Sequence, residues 1–176
     1  MNEVLSAIAS RSSTRGYEQR KLTQEEMNIL VKAALQAPTA TNRQEIHVTV
    51  LDGDNPILTE IEDAKNSVRE GLKPAHNFYY EAPAVFLLSG EEAFYWSKID
   101  AGIAAQNIAL AAESLGLGSL IIGCIRDALT GDKKEYFGKL LEFPEGYEYE
   151  IAVAVGHKAV SKEPHEIDVD KNVTYL

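Results

Sequence analysis

The segment from residue 100 to residue 115 constrains the fold most, because it is apolar on nearly every side of a predicted helix. Its only charged residues are Asp100 and Glu113. A helix without a polar face is normally buried, either at the centre of one chain or in a subunit interface. Gly116 follows where a left-handed glycine commonly ends a helix. We also expect a dimer, since a chain of 176 residues has limited room to bury such a helix alone.

Hydrophobic periodicity predicts helices and short strands that alternate around that core. Thr23 and Glu26 have the spacing of a capping box, which begins a helix, and Pro38 requires that helix to end by Ala37. The other predicted helices cover 2–10, 56–71 and about 132–141, the predicted strands cover 46–50, 84–88, 120–122 and 150–156, and the last twenty residues are expected to be mostly extended. The alternation indicates one α+β or α/β domain over residues 1–176, with helices covering a sheet.

Composition excludes several classes of partner. The formal net charge of −10 argues against nucleic acid and anionic membrane surfaces, because both are bound through clustered Lys and Arg. We expect neither a signal peptide nor a transmembrane span, and the scattered histidines predict no metal site. The single cysteine, Cys124, rules out an intramolecular disulfide and fits a reducing cytoplasm. We expect its thiol to be buried and structural.

A basic and hydroxyl-rich cluster at residues 11–15 is the first candidate for binding. Arg11, Ser13 and Arg15 are spaced by two, so in an extended segment they point the same way. Two guanidiniums and a hydroxyl that converge can hold a phosphate dianion through charge-assisted hydrogen bonds. The same spacing also suits a solvated basic turn after a helix.

A second candidate is the polar stretch at residues 37–44, which directly follows a predicted helix. Asn42 and Gln44 can bond the carbonyl and imide edge of a flavin or a pyrimidine, or they can satisfy the loop's own backbone. Gly123, after the 120–122 strand, is either a turn residue or a place where backbone approaches a ring. The glycine pattern does not match a dinucleotide-binding fingerprint. No nucleophile–base set is present, and Asp100 suits the positive end of a helix dipole.

Taken in order, these motifs resemble the nitroreductase family of flavin-dependent oxidoreductases, over almost the whole chain. The matching residues are Arg11, Ser13 and Arg15, then Ala37, Pro38, Thr39, Asn42 and Gln44, then Asp100, Gln106, Asn107, Leu110, Ala111 and Ala112, then 115–119, and a final strand that ends at Gly156 and His157. The chain departs from the family where Gln-Pro-Trp is usual, since it has Gln44, Glu45 and Ile46. His165 stands where a second basic residue is usual in the tail.

The resemblance implies an α+β fold with a central, mostly antiparallel sheet covered by helices, in an intertwined homodimer that holds FMN at the subunit interface. It implies hydride transfer from NADH or NADPH through flavin N5 to a nitroaromatic or a quinone, in a ping-pong reaction without a catalytic protein side chain. The alternative on the same fold is a flavin-binding protein for storage or sensing that does not turn over. A flavin-destroying or dehalogenating enzyme is less compatible, because residues 71–90 leave little room for a lid.

The resemblance also implies a role for each matching residue in holding FMN. The phosphate would be bound by Arg11, Ser12, Ser13 and Arg15, with Lys162 and His165 approaching from the tail. The ring would be lined by Pro38, Thr39, Ala40, Asn42 and Gln44. Ile121, Gly123 and Cys124 would lie along the other side or edge of the flavin.

Overall fold

A computed structural model of the protein describes residues 2–67 and 75–176. Its strands are β1 (His47–Asp52), β2 (Ala84–Glu91), β3 (Leu117–Ile122) and β4 (Tyr147–His157). They form one sheet in the order β1-β2-β4-β3, and every neighbouring pair is antiparallel. Its helices are α1 (Glu3–Ser10), α2 (Gln24–Leu35), α3 (Pro56–Ser67), α4 (Ser97–Ser114), α5 (Arg126–Thr130), α6 (Lys134–Leu140) and α7 (Val169–Asn172). This is the expected α+β fold with an antiparallel sheet.

The predicted helix boundaries depend on local signals that the structure contains. The backbone N–H of Glu26 donates to Thr23 Oγ1 at 3.2 Å, and the N–H of Thr23 donates to Glu26 Oε2 at 2.7 Å, so the capping box is confirmed. Gly116 has a φ of +73° after α4, as expected for a left-handed terminator. The predicted end of the 56–71 helix lies outside the described residues.

Several elements begin earlier than the sequence predicted, and two helices were not predicted. Strand β3 begins at Leu117 instead of residue 120, because Leu117, Gly118 and Ser119 already pair with β4 in regular register. Helices α5 and α7 were missed, since five and four residues are too few to show a helical period. Helix α4 begins at Ser97, three residues before the predicted start.

The sheet carries a hydrophobic core on each face. Alternate residues of β2 point to opposite sides, so Phe86 and Leu88 pack towards α2 and α4, and Val85 and Leu87 pack towards α3, α5 and α6. Helix α4 is therefore central, as expected. Its buried residues are Ser97, Asp100, Ala101, Ala104, Ala105, Ile108, Ala109 and Ala112. The other α4 residues are half-buried or exposed in one chain, so the expected dimer stays a prediction.

An extended segment that follows α1 covers the outer edge of β3. The N–H of Thr14 donates to the carbonyl of Ser119 at 2.9 Å, and the N–H of Glu18 donates to the carbonyl of His157 at 2.9 Å. Thr14 is buried against Gly118. These contacts fix the 11–15 cluster beside the sheet. Within residues 2–67 and 75–176, no helix has the length and apolar character needed to cross a bilayer.

Candidate functional site

A cavity of about 410 Å³ lies at the carboxyl end of β3. Arg15, which belongs to the basic cluster at residues 11–15 (the phosphate cluster), lies on this cavity. On the same surface are the three residues expected along the other side or edge of the flavin, Ile121, Gly123 and Cys124. The rest of its lining is Leu120, Ile122, His76, Asn77, Phe78 and Tyr80. The segment 76–80 was not among the residues expected at the site. No sequence pattern marked it, because its residues reach the cavity through a turn.

The cations of the phosphate cluster are available to an anion. Within the described residues, neither Arg11 nor Arg15 takes part in a salt bridge. The Arg15 guanidinium carbon lies 6.0 Å from the centre of the Tyr80 ring, at the outer limit of a cation–π contact. The segment is extended, as the spacing argument requires. A guanidinium without a carboxylate partner keeps all its N–H donors for a bound ligand.

The tail reaches the cluster through its backbone. Ser12 Oγ donates to the carbonyl of Lys162 at 2.8 Å, so Lys162 lies next to the cluster, with its side chain exposed. His165 is also exposed, and no hydrogen bond or ion pair in the described part of the chain ties it to the cluster. The structure therefore brings Lys162 to the cluster, and it gives no contact that supports a phosphate role for His165 within the described residues.

Residues 38–44, which we call the ring loop, have an unusual backbone. The φ values are 56°, 56° and 54° for Thr41, Asn42 and Gln44. They lie in the left-handed region, which most residues other than glycine disfavour. Such a conformation costs of the order of 1–3 kcal/mol per residue and persists only where the surroundings impose it. Strained backbone of this kind is concentrated at functional sites.

Three hydrogen bonds impose that conformation. Thr39 Oγ1 accepts from the N–H of Gln44 at 2.9 Å, and the Thr39 carbonyl accepts from the N–H of Asn42 at 2.9 Å. Asp100 Oδ2 accepts from the N–H of Ala40 at 2.9 Å. The exposed amides of Asn42 and Gln44 contact each other only at 3.4 Å. The loop backbone is therefore held mainly by Thr39 and Asp100, which leaves both amides accessible to a ligand.

Two carboxyl groups are buried beneath the ring loop. Asp100 is 3% exposed and Glu45 is 4% exposed. Burial raises the pKa of Glu45 above its ordinary value, and the neighbouring Asp100 raises that pKa further. The Glu45 backbone N–H opposes that rise in pKa, and neither Glu45 oxygen has another donor within the described residues. The sequence favoured the helix-dipole role over a catalytic role for Asp100, and it marked Glu45 only as an acid in place of the usual proline.

Helix α4 separates the ring loop from the phosphate cluster. Asp100 holds the loop near the amino end of α4, and Glu113, near the carboxyl end, accepts from Ser10 Oγ at 2.8 Å. The two anchor residues are about 20 Å apart along the helix, at ~1.5 Å of rise per residue. Arg11 follows Ser10, so one chain does not bring the loop and the start of the cluster together. The loop instead lines a separate cavity of about 270 Å³ with α2 and Ala104.

Cys124 is exposed, and the expectation of a buried thiol is wrong. Strand β3 ends at Ile122, and the chain then turns so that Ile125, with no exposed surface, enters the core. Cys124 consequently lies on the wall of the 410 Å³ cavity. Its place beside the flavin stays a prediction.

Comparison with known proteins identifies the family. The model of the nitroreductase family matches residues 8–157. A protein from Bacillus subtilis strain 168 named FMN reductase, with NAD(P)H as donor, is 29% identical over all of this chain and 76% of its own length. A nitroreductase with bound FMN from Desulfitobacterium hafniense DCB-2 is 31% identical, with a TM-score of 0.90 over 100% of this chain and 99% of that one. An FMN-dependent nitroreductase from Clostridium difficile R20291 is 27% identical, with a TM-score of 0.86 over 99% of both chains.

The chain belongs to the nitroreductase family. The resemblance drawn from its ordered motifs is therefore confirmed, including the fold that it implied.

Proposed function

We propose that this protein is an NAD(P)H-dependent flavin oxidoreductase with FMN as its cofactor. The observation that carries the proposal is the shared cavity of Arg15 with Ile121, Gly123 and Cys124. That arrangement places the Arg15 guanidinium, which has no salt bridge among the described residues, on one surface with the exposed Gly123 at the end of β3. A guanidinium suits a phosphate, and a glycine backbone suits the edge of a ring. When bound, FMN supplies the hydride chemistry at N5.

The residues present fit FMN in their donor chemistry. Arg11, Arg15 and the Ser13 hydroxyl offer charged and neutral donors to a phosphate dianion. The Asn42 and Gln44 amides offer both donors and acceptors to the carbonyl and imide edge of the ring. The exposed position of Gly123 lets backbone approach a planar ring closely.

We propose further that the complete site needs two copies of the chain. The ring loop and Ser10 are held at opposite ends of α4, and a ribityl chain of a few carbon atoms does not bridge about 20 Å. In a homodimer, the loop of one protomer can lie over the phosphate cluster and Gly123 of its partner. Exposed apolar surface supports such a contact, since α1 has no buried residue and exposes Val4, Leu5 and Ile8.

In this scheme the chain's residues bind and orient and do not take part in covalent chemistry. With FMN bound, the guanidiniums would hold its phosphate and the ring loop would contact its ring. Nicotinamide and acceptor would then use the same site in turn. Nitroaromatics and quinones are the acceptor class that we propose. With FMN bound, the Asn42 and Gln44 amides would supply N–H donors to the ring, so the site would need no titrating side chain there.

The test is flavin binding followed by anaerobic reduction of the purified protein. FMN should remain with the protein through gel filtration, and NADH or NADPH should bleach its visible absorbance. A nitroaromatic or a quinone should then restore that absorbance. Failure to bind excess FMN contradicts the proposal. Binding without bleaching by either nicotinamide favours the alternative of a flavin-binding protein that does not turn over.

A further inference from the structure

Hydrogen bonds attach the ring loop to the rest of the described chain at two places. The first is the bond from the Ala40 N–H to Asp100 on α4. The second is made by the Arg43 side chain, which donates through Nε to Glu91 Oε1 at 3.2 Å and through Nη2 to Glu91 Oε2. Glu91 is the last residue of β2, so this second attachment ties the loop to the central sheet.

The contact between Arg43 and Glu91 has the geometry of a specific ion pair. Both oxygens of the carboxylate accept from one guanidinium, and bidentate pairs of this kind are stronger and more directional than single contacts. The Arg43 guanidinium carbon also lies 4.7 Å from the centre of the Phe94 ring, within the range of a cation–π contact. Among the described residues, neither member of the pair takes part in another salt bridge.

The place of Arg43 in the chain gives the pair a local effect. Its side chain and that of Glu91 are 46% and 30% exposed, and exposed ion pairs contribute little to the stability of a whole protein. Arg43 nevertheless lies directly between Asn42 and Gln44, which both have left-handed backbone and carry the two amides of the loop. A displacement of Arg43 therefore displaces both amides.

We propose that Arg43 is a positioning residue for the flavin ring, held in place by Glu91 and Phe94. It acts through the loop, because its donors are directed at Glu91, and it keeps the Asn42 and Gln44 amides where they can meet the ring. The effect on flavin rests on the function proposed above. The effect on the loop does not, since the pair is formed by this chain alone.

The first experiment is hydrogen exchange followed by NMR on the whole purified chain without flavin. It compares the wild type, Arg43→Ala and the control Lys21→Ala, which removes a surface pair with Asp52. The amides observed are the three hydrogen-bonded N–H groups of the loop, those of Ala40, Asn42 and Gln44. We expect exchange about fivefold faster in Arg43→Ala, the upper end of what an exposed pair contributes, and no change in the control. Equal exchange in Arg43→Ala and the wild type overturns the proposal.

The second experiment separates positioning from direct contact with the ligand, through Kd values for FMN and for riboflavin. Arg43→Ala and Glu91→Ala should each raise both Kd values about fivefold, and the double variant should bind no more weakly than either, because the pair acts as one unit. Riboflavin lacks the phosphate, so an equal loss for both flavins locates the effect at the ring. Wild-type affinity in Glu91→Ala, losses that add in the double variant, or a loss for FMN alone refutes the positioning role.

The visible spectrum of bound FMN reports on the ring itself and not on overall stability. Hydrogen bonds to the ring carbonyls shift the flavin bands, so at saturating FMN the Arg43→Ala spectrum should move towards that of free FMN. Arg43→Lys keeps the charge without the fork of donors and should lie between the two. A spectrum of Arg43→Ala identical to the wild type refutes the positioning role. If the wild type binds no FMN, the function proposed above fails, and the exchange result still decides whether the pair holds the loop.

Discussion

The backbone N–H of Ala40 donates to the Oδ2 atom of Asp100 at 2.9 Å, across sixty residues of sequence. This bond joins the ring loop to the first turn of α4, where the carboxylate also faces the positive end of the helix dipole. The dipole role expected from the sequence and the loop-holding role are therefore compatible. Together with the two hydrogen bonds to Thr39, this bond holds the backbone of a loop that has three left-handed residues.

Replacement of Asp100 tests that bond. Asp100→Ala leaves the partly buried Ala40 N–H without an acceptor, at a cost of about 1–3 kcal/mol, and the ring loop should relax from its left-handed conformation. Asp100→Asn keeps an acceptor oxygen in the same place. We expect the alanine variant to lose FMN affinity at least about fivefold more than the asparagine variant, as measured by fluorescence titration. Equal losses would show that the charge of Asp100 matters and the loop bond does not.

Replacement of Arg11 tests the phosphate assignment. Arg11→Ala removes one charged hydrogen-bond donor and should weaken FMN binding by about 1.5–3 kcal/mol. Arg20→Ala is the matched control, because Arg20 is exposed and lies outside the 11–15 cluster. Riboflavin, which lacks the phosphate, should bind equally to both variants. An Arg11→Ala protein with wild-type affinity for FMN would show that the phosphate lies elsewhere.

The fold was largely predictable because its signals are local. The capping box at Thr23, the terminator at Gly116 and the apolar runs in β2 and β4 act within a few residues, and each is present in the structure. The start of β3 was predicted three residues late, because the reason for a glycine at position 118 is distant in the sequence. A Cβ at that position would lie 2.4 Å from Thr14 Oγ1, a contact made more than a hundred residues away in sequence.

The sequence indicated individual candidate residues for the site but not which of them lie together. The ordered motifs brought forward Arg15, Gly123 and Cys124, which line one cavity. They did not reveal Tyr80 in the same wall, or that Glu45 lies beside Asp100. Residues that are brought together only by tertiary packing leave no periodic pattern in one sequence, so pairs such as these emerge only from coordinates.

The proposed dimer predicts the effect of charge on α1. Leu5 and Ile8 are 50% and 52% exposed on a helix without a buried residue, so glutamate at both positions should leave the protomer folded. In an interface, two buried charges without partners cost several kcal/mol, and light scattering should show a monomer at micromolar concentration. FMN affinity should fall when the dimer is lost. Gln19→Glu, at another exposed position, should remain dimeric. A wild-type monomer, or a double variant that is dimeric, contradicts the composite site.

Gly118→Ala tests how the phosphate cluster is fixed to the sheet. The new methyl group would lie 2.4 Å from Thr14 Oγ1 and 2.7 Å from Thr14 Cγ2, so the buried threonine has to move. Overpacking of this kind costs about 1–3 kcal/mol, measurable by urea unfolding. Because Thr14 lies between Ser13 and Arg15, FMN affinity should fall as well. Adding Thr14→Ala removes those two atoms and should recover part of both losses.

The control for that variant is Gly138→Ala on α6, where an added Cβ meets no atom within 4 Å. Alanine replaces glycine in a helix there, so stability should rise by about 0.5–1 kcal/mol, and FMN affinity should not change. The two substitutions add the same methyl group, and only the one beside Thr14 should alter the cluster. If Gly118→Ala binds FMN as the wild type does, the position of Thr14 does not control that of Arg11 and Arg15. The phosphate would then be bound by residues outside the 11–15 segment.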